Sequence, residues 1–311
     1  MRTHHTSSIV LAAGLWMLAS AGTGAAATED KPPVGKEYKL VWSDEFTGEE
    51  LDPGKWDYRQ LGPRRDAVNV KETVTLDGKG HLILTTRRSG DQVQTAMIGT
   101  QGLFETTFGY FECRVKLQEQ VGHWSAFWLQ TPTMGQHIGD PARAGTEIDI
   151  FEYLRREGDL VHHNLHWDGY GEHHKHAGTD VRVPGLGQGW NTFGLLWTHT
   201  EYVFTINGQE TWRTTRGVSQ RDQYIILSLE VGKWAGDIAD ATLPDHLYVD
   251  YVRVYQKAPA TPAKPDAQGR ARLTNRRETA WRARQETREE DVRTANLSLP
   301  RLRDGDSPEA D

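Results

Sequence analysis

Between Tyr38 and Gln256 large apolar residues alternate with polar ones, and Gly, Pro, Asn and Asp cut the alternation into short runs. His81-Leu82-Ile83-Leu84-Thr85-Thr86 follows the turn Asp77-Gly78-Lys79-Gly80, and residues 110–117 repeat the period of two. Tyr202-Val203-Phe204-Thr205-Ile206 runs into Asn207-Gly208 and continues as Glu210-Thr211-Trp212. An Asn-Gly pair between two such runs is the strongest short hairpin signal. Residues 224–229 and 247–255 close the series. Side chains two apart share a face of a strand, so each run predicts a strand with one face on a core. No long segment carries a 3.6-residue apolar period, and no internal repeat is present. Many short strands over about 220 residues predict one large antiparallel β-sandwich of jelly-roll type.

The two ends depart from this pattern. Arg2 and the pair His4-His5 precede an apolar stretch from Ile9 to about Ala21, and small residues lead to Ala25-Ala26-Ala27. That order predicts a secretory signal peptide over 1–27, and therefore a secreted or periplasmic protein. The apolar run is too short to serve as a good transmembrane span, so no stable membrane span is expected after cleavage. Residues 28–37 form a short N-terminal segment and 38–257 the folded domain. Pro259, Pro262 and Pro265 then mark a linker, and beyond Arg270 the chain is crowded with Arg, Glu and Asp, with Trp281 its only aromatic residue. Residues 258–311 are expected to be a linker and a charged, disordered tail.

Composition narrows the partners. A net charge of −7, from 36 Lys and Arg against 43 Asp and Glu, argues against a nucleic-acid ligand. Cys113 is the only cysteine and can form no internal disulfide. Nothing in the sequence calls for a partner chain, and a monomer is expected. Eleven tryptophans are the informative excess, because flat apolar rings in clefts commonly hold sugars.

The sharpest chemical feature is Gly145-Thr146-Glu147-Ile148-Asp149-Ile150-Phe151-Glu152-Tyr153. Three acids punctuate an apolar strand, which is unfavourable unless their face is a wet cleft. Alternation puts Glu147 and Asp149 on one face but would turn Phe151 to that face and hide Glu152. A one-residue β-bulge near Ile150-Phe151 restores the parity and returns Glu152 to the acids. On a straight strand, residues four pleat positions apart lie roughly 13 Å from each other, whereas retaining glycosidases hold their carboxyl groups about 5–5.5 Å apart. The spacing permits that chemistry if the sheet is concave and the side chains converge. Two other readings stand beside it: solvent-facing acids on an edge strand, and a calcium site.

The stretch 147–152 resembles the signature of glycoside hydrolase family 16, in the version with one extra residue before the last Glu. That version is typical of laminarinases, agarases and carrageenases. Further blocks agree in order: Leu40-Val41-Trp42-Ser43-Asp44-Glu45-Phe46, Leu51-Asp52-Pro53-Gly54-Lys55-Trp56, Phe108-Gly109-Tyr110-Phe111-Glu112, Trp124-Ser125-Ala126-Phe127-Trp128-Leu129 and Val249-Asp250-Tyr251-Val252-Arg253-Val254-Tyr255. The resemblance spans residues 38–257. It implies a concanavalin-like jelly roll of two antiparallel sheets with a substrate cleft across the concave one. It also implies Glu147 as nucleophile, Glu152 as general acid/base and Asp149 between them.

By the same resemblance Trp124 lines the sugar cleft and Trp128 lies close to the active centre; Trp167 and Trp234 are further candidates for stacking on sugars. Trp42, Trp56, Trp190 and Trp197 read as structural. His162, His163 and His166, with His173, His174 and His176, form a dense cluster. Zinc is one reading of it, but there is no HExxH and no recognisable carboxylate or thiolate partner, so whether a metal binds stays open. The alternative places the strand 162–167 beside the acid strand, with His166 facing the cleft. The resemblance requires no cofactor, though it is compatible with a structural calcium ion. The expected activity is retaining endo-hydrolysis of a polysaccharide, foremost a β-1,3-glucan. An agarose- or carrageenan-type galactan with the same catalytic acids is a second reading, and for a sulfated one Arg64, Arg65, Arg155 and Arg156 are available as basic side chains. A non-catalytic lectin-like module is the third, and it has no use for two spaced glutamates.

Overall fold

The computed structural model describes residues 34–258. The expected signal peptide over 1–27, residues 28–33 and the tail from 259 onward lie outside the described residues.

The period-two runs pair into two antiparallel sheets, with strands numbered here in chain order. The first contains β1 (Tyr38–Asp44), β5 (Val74–Leu76), β6 (Leu82–Ser89), β9 (Gly109–Lys116), β14 (Trp190–Trp197), β15 (Tyr202–Ile206), β16 (Gln209–Thr214) and β18 (Asp245–Lys257). Its order is β16-β15-β14-β9-β18. On the far side of β18, β6 pairs with the N-terminal half and β1 with the C-terminal half, while β5 extends β6. The second sheet runs β13 (Lys175–Arg182), β12 (Leu160–Trp167), β11 (Glu147–Leu154), β10 (His123–Gln130), β17 (Gln223–Val231) and β7 (Gln92–Gly99). Short strands complete its rim. β2 (Asp57–Tyr58) and β4 (Ala67–Asn69) lie beside β7, β3 (Gly62–Arg64) pairs with β4, and β8 (Glu105–Thr106) pairs with the start of β17.

Each sheet turns its apolar face to the other. Phe111, Val115, Phe193, Leu195 and Phe204 from the first meet Phe127, Leu129, Ile148, Phe151, Leu165, Ile225 and Leu227 from the second in one buried cluster. The Phe151 and Phe193 rings lie 4.1 Å apart across the interface. Burying each such side chain stabilises the fold by roughly 1.5–3 kcal/mol, which lets the domain stand without a disulfide; Cys113 is free and buried in this core. The jelly-roll sandwich expected from the pattern is the observed fold, and the last strand ends at Lys257. At the expected hairpin, Asn207 and Gly208 have φ of 51° and 75°, the left-handed pair that a two-residue turn between twisted strands requires. The only α-helix among the described residues is the single turn α1 (Pro141–Ala144).

Candidate active site

The acid motif is strand β11, and its irregularity is where parity demands it. Against β12, Asp149 pairs with Asn164 and Glu152 with His162, so three steps along β11 match two along its partner. Against β10, Phe127 pairs with Phe151 and Trp128 with Asp149, leaving Ile150 as the extra residue. Ile148, Ile150 and Phe151 are wholly buried in the core. Glu147, Asp149 and Glu152 are thereby left on the opposite face, away from the sandwich interior.

Neighbouring strands build the floor around them. β10 pairs with β17 without interruption, so Trp124, Ala126, Trp128 and Gln130 share the acid face with Tyr224, Ile226, Ser228 and Glu230. On the other side β12 lies beside β11 as expected, with His166 opposite Glu147 and Asn164 opposite Asp149. Six adjacent strands at about 4.8 Å each make a floor roughly 24 Å across, wide enough for several sugar rings.

Each acid has a distinct environment. The Gln130 amide is oriented by the Thr131 N–H, which donates to its Oε1 at 2.8 Å; its Nε2 then donates to Glu147 Oε2 at 2.6 Å. The Tyr170 hydroxyl donates to the same carboxylate oxygen. Tyr170 reaches it because Asp168 and Gly169 adopt left-handed φ of 63° and 78° just after β12. Asp168 is itself held by the Gly139 N–H at 2.8 Å and by Lys175 at 2.7 Å. Burial pushes Glu147 up to about 7; the Tyr170 and Gln130 donors pull it down, while the charges of Glu152 and Glu230 raise it. Asn164 Nδ2 donates to Glu152 Oε2 at 2.9 Å. Glu152 is likewise raised by burial, against the opposing pull of Asn164, His162 and Arg65. Asp149 is raised well above the ordinary carboxylate range, by burial and then by the charges of Glu152, Glu147 and Glu230. Burial and crowding therefore raise all three carboxyl groups, and Glu147, at about 7, is partly protonated at neutral pH.

The histidine cluster divides by parity. His166 faces the acids, its Nε2 3.5 Å from Asp149 Oδ2 and its Nδ1 2.9 Å from His174 Nε2. Burial, with His174 and His176 alongside, brings its pKa down to about 4, so it stands there as a neutral imidazole. His162 bridges Glu157 at 2.8 Å and Asp180 at 2.7 Å on the rim. His163 points into the core. Among the described residues, Glu147, Asp149 and His166 bring ligand atoms within 4.8 Å of one another. Two carboxylates and an imidazole fall short of the six to eight oxygen ligands that calcium takes. Of the six histidines, His162 and His163 turn to other partners, while His166, His174 and His176 stack with ring centroids 5.1–6.4 Å apart.

The tryptophans also sort by face. Trp128 lies on the floor opposite Asp149, its Nε1 donating to Ser228 Oγ at 3.2 Å. Trp124 is on the same face but only 5% exposed, covered by the Arg65 guanidinium at 5.3 Å and by the edge of Trp234 at 5.4 Å. Trp234, 39% exposed and 5.4 Å from the His162 ring, is the open aromatic surface of this wall. Trp167 corrects the sequence expectation. It follows His166 on a regular strand, so alternation sends it to the core face with Leu165, where the turn at Gly217 closes over its ring.

Sequence reasoning missed Tyr170, Gln130, Asn164 and Glu230. Glu230 is a fourth acid on the floor, two strands from β11, and its charge is met by Arg64 Nε at 2.8 Å and Arg65 Nε at 3.0 Å. Arg155 instead turns to the buried Tyr153, 3.4 Å from its hydroxyl, and Arg156 to Glu157 at 3.6 Å.

Comparison with known proteins agrees with this geometry. The family model described as glycosyl hydrolases family 16 matches residues 63–253. A β-glucanase of Rhodothermus marinus is 30% identical over 256 residues, covering 73% of this chain and 88% of that protein. The keratan-sulfate endo-1,4-β-galactosidase of Sphingobacterium multivorum is 27% identical over 71% of this chain, which spans 56% of that protein. The clotting factor G alpha subunit of Tachypleus tridentatus is 26% identical over 71% of this chain, which spans 34% of its length. The crystal structure of a laminarinase from Flavobacterium sp. UMI-01 superposes with a TM-score of 0.60 at 26% identity, covering 70% of this chain and all of that one. A bulged strand of three acids, on a sandwich that matches in sequence and in shape, places the chain in glycoside hydrolase family 16.

Proposed function

We propose that the protein is an exported, retaining endo-hydrolase of a β-1,3-linked glucan, with Glu147 as nucleophile and Glu152 as acid/base. The observation that carries the reading is the Ile150 bulge, which brings both glutamates and Asp149 to one face. Glu147, held by Gln130 and Tyr170, attacks the anomeric carbon as the glycosidic bond breaks. Glu152 gives its proton to the leaving oxygen, and a covalent glycosyl-enzyme results. Glu152, now ionised, takes a proton from water, whose oxygen attacks the same carbon and expels Glu147. Two inversions retain the β configuration. A protonated Asp149 between them limits the repulsion that full ionisation would create. The broad floor, with Trp234 exposed at its wall, suits attack within a chain.

Among neutral and sulfated substrates the charge balance favours the neutral one. Arg64 and Arg65 are committed to Glu230, Arg59 lies over the Tyr224 ring at 4.8 Å and donates to Gln101 at 2.6 Å, and four carboxyl groups share the surface a sulfated chain would have to cross. The galactan reading draws on the keratan-sulfate-degrading relative. Release of reducing sugar from laminarin, lichenan, agarose and carrageenan tests the assignment. Laminarin as the preferred substrate is the expected result, and hydrolysis of agarose or carrageenan alone would overturn the glucan reading. Export is tested by N-terminal sequencing of the mature protein, expected to begin near Thr28.

A further inference from the structure

Two irregularities in two different sheets meet at one buried imidazole. The first is the bulge in β11, where His163 on β12 is the residue left facing the extra length between Asp149 and Glu152. The second lies in the β15–β16 hairpin of the opposite sheet. There Phe204 pairs with Trp212 and Thr205 with Glu210, so Thr211 is the extra residue. His163 Nδ1 lies 2.7 Å from the Ile150 carbonyl oxygen, and its Nε2 lies 2.9 Å from Thr211 Oγ1. The ring has no exposed surface and packs on Phe204 at 4.8 Å.

The chemistry of the partners sets the tautomer. A carbonyl only accepts, so Nδ1 carries the hydrogen, and Nε2 faces the Thr211 hydroxyl as an acceptor, in competition with the Phe204 carbonyl 3.2 Å from the same oxygen. Burial holds the pKa of the ring down at about 4, so this neutral bridge persists across the working pH range. A bulge interrupts the ladder and leaves a backbone group of the extra residue without its usual partner. At this bulge the Ile150 carbonyl, deep in the core, takes the imidazole as a donor. A slip of one residue would turn the following side chains to the other face, Glu152 among them.

We propose that His163 is a positioning residue: it pins the β11 bulge at Ile150 against the second bulge at Thr211 and so holds Glu152 on the face it shares with Glu147. The inference rests on the reading of Glu152 as acid/base. Its geometry is specific, since the ring places a donor and an acceptor on opposite sides, far enough apart to reach both bulges.

The test compares His163→Asn, His163→Gln and His163→Leu on laminarin and on 2,4-dinitrophenyl β-laminaribioside. Asparagine places its amide N–H near the position of Nδ1 and keeps the bond to Ile150; glutamine places it near Nε2 and loses that bond. On laminarin H163N is expected to keep kcat within about 3-fold, while H163Q and H163L lose about 10- to 100-fold with little change in KM. Added azide should restore turnover of the dinitrophenyl substrate by H163Q and H163L, because azide needs no base and Glu147 is intact. Equal kcat for the Asn and Gln variants, or losses that azide does not relieve, would overturn the proposal. If H163L does not fold, the Asn–Gln pair decides alone. Glu152→Ala is measured alongside: failure of azide to rescue it sinks the acid/base reading, whereas rescue of E152A without rescue of H163Q sinks only the role of His163. A wild-type chain inactive on both substrates would contradict the glucan reading and move the same comparison to agarose and a dinitrophenyl β-galactobioside.

Discussion

Glu147 must be ionised to attack, yet its surroundings hold its proton to about pH 7. The acid limb of kcat/KM in the free enzyme is therefore expected near neutral pH rather than near 4. Tyr170 moderates this by donating to the carboxylate. Tyr170→Phe removes the donor, raises the Glu147 pKa further and moves the acid limb upward, by about one unit on the strength of a charge-assisted hydrogen bond. A pH–rate profile unchanged by that substitution would contradict the role given to Tyr170. Asp149 carries the opposite lesson. Its folded-state pKa lies well above its unfolded value, so the proton it binds stabilises the fold fully below about pH 4, and that contribution is lost as pH rises through the folded pKa. Asp149→Asn keeps the shape and removes the titration. It should raise stability at pH 8 by about 1 kcal/mol or more, about 2–4 °C in Tm, while lowering turnover. A Tm that falls equally at pH 4 and pH 8 would show that Asp149 is not the strained acid described here.

At the scale of the strand, deletion of Ile150 is the informative change. It leaves Glu-Ile-Asp-Phe-Glu, in which strict alternation alone keeps both glutamates on one face. The variant should retain measurable hydrolysis. Its Tm should fall, since the deletion removes the carbonyl that His163 bonds and leaves a buried donor unpaired, at a cost of about 1–3 kcal/mol. Deleting Phe151 as well should send Glu152 to the core and abolish turnover. A folded Ile150 deletion with no activity would contradict the parity account. The bulge was legible because two adjacent apolar residues, Ile150 and Phe151, sit between acids that must share a face. Trp167 shows the opposite: it is a candidate for stacking on sugars by residue type, but with His166 facing the cleft the period of two already assigns it to the core. His163, Glu230 and Tyr170 were not legible in the same way. Glu230 reaches the acids through the order β11-β10-β17, which no local pattern encodes. Tyr170 arrives through a left-handed turn at Asp168, an uncommon conformation for a non-glycine residue.

For the whole molecule, the sandwich closes with β18 at Lys257, on which β1, β6 and β9 all pair. Residues 259–311 are rich in Arg and Glu and poor in large apolar side chains, so they offer little surface to bury. Truncation after Ala258 should leave Tm and hydrolysis nearly unchanged. Loss of cooperative unfolding would show that the tail belongs to the fold. The central claim is the division of labour between the two glutamates, and the stereochemistry of azide rescue reads it most directly. On an activated aryl β-glycoside, Glu152→Ala should regain turnover with azide and release a β-glycosyl azide, because Glu147 still forms the covalent intermediate. Glu147→Ala, if rescued at all, should release the α-azide by a single displacement. An α-azide from the Glu152 variant together with a β-azide from the Glu147 variant would contradict the account and exchange the two roles.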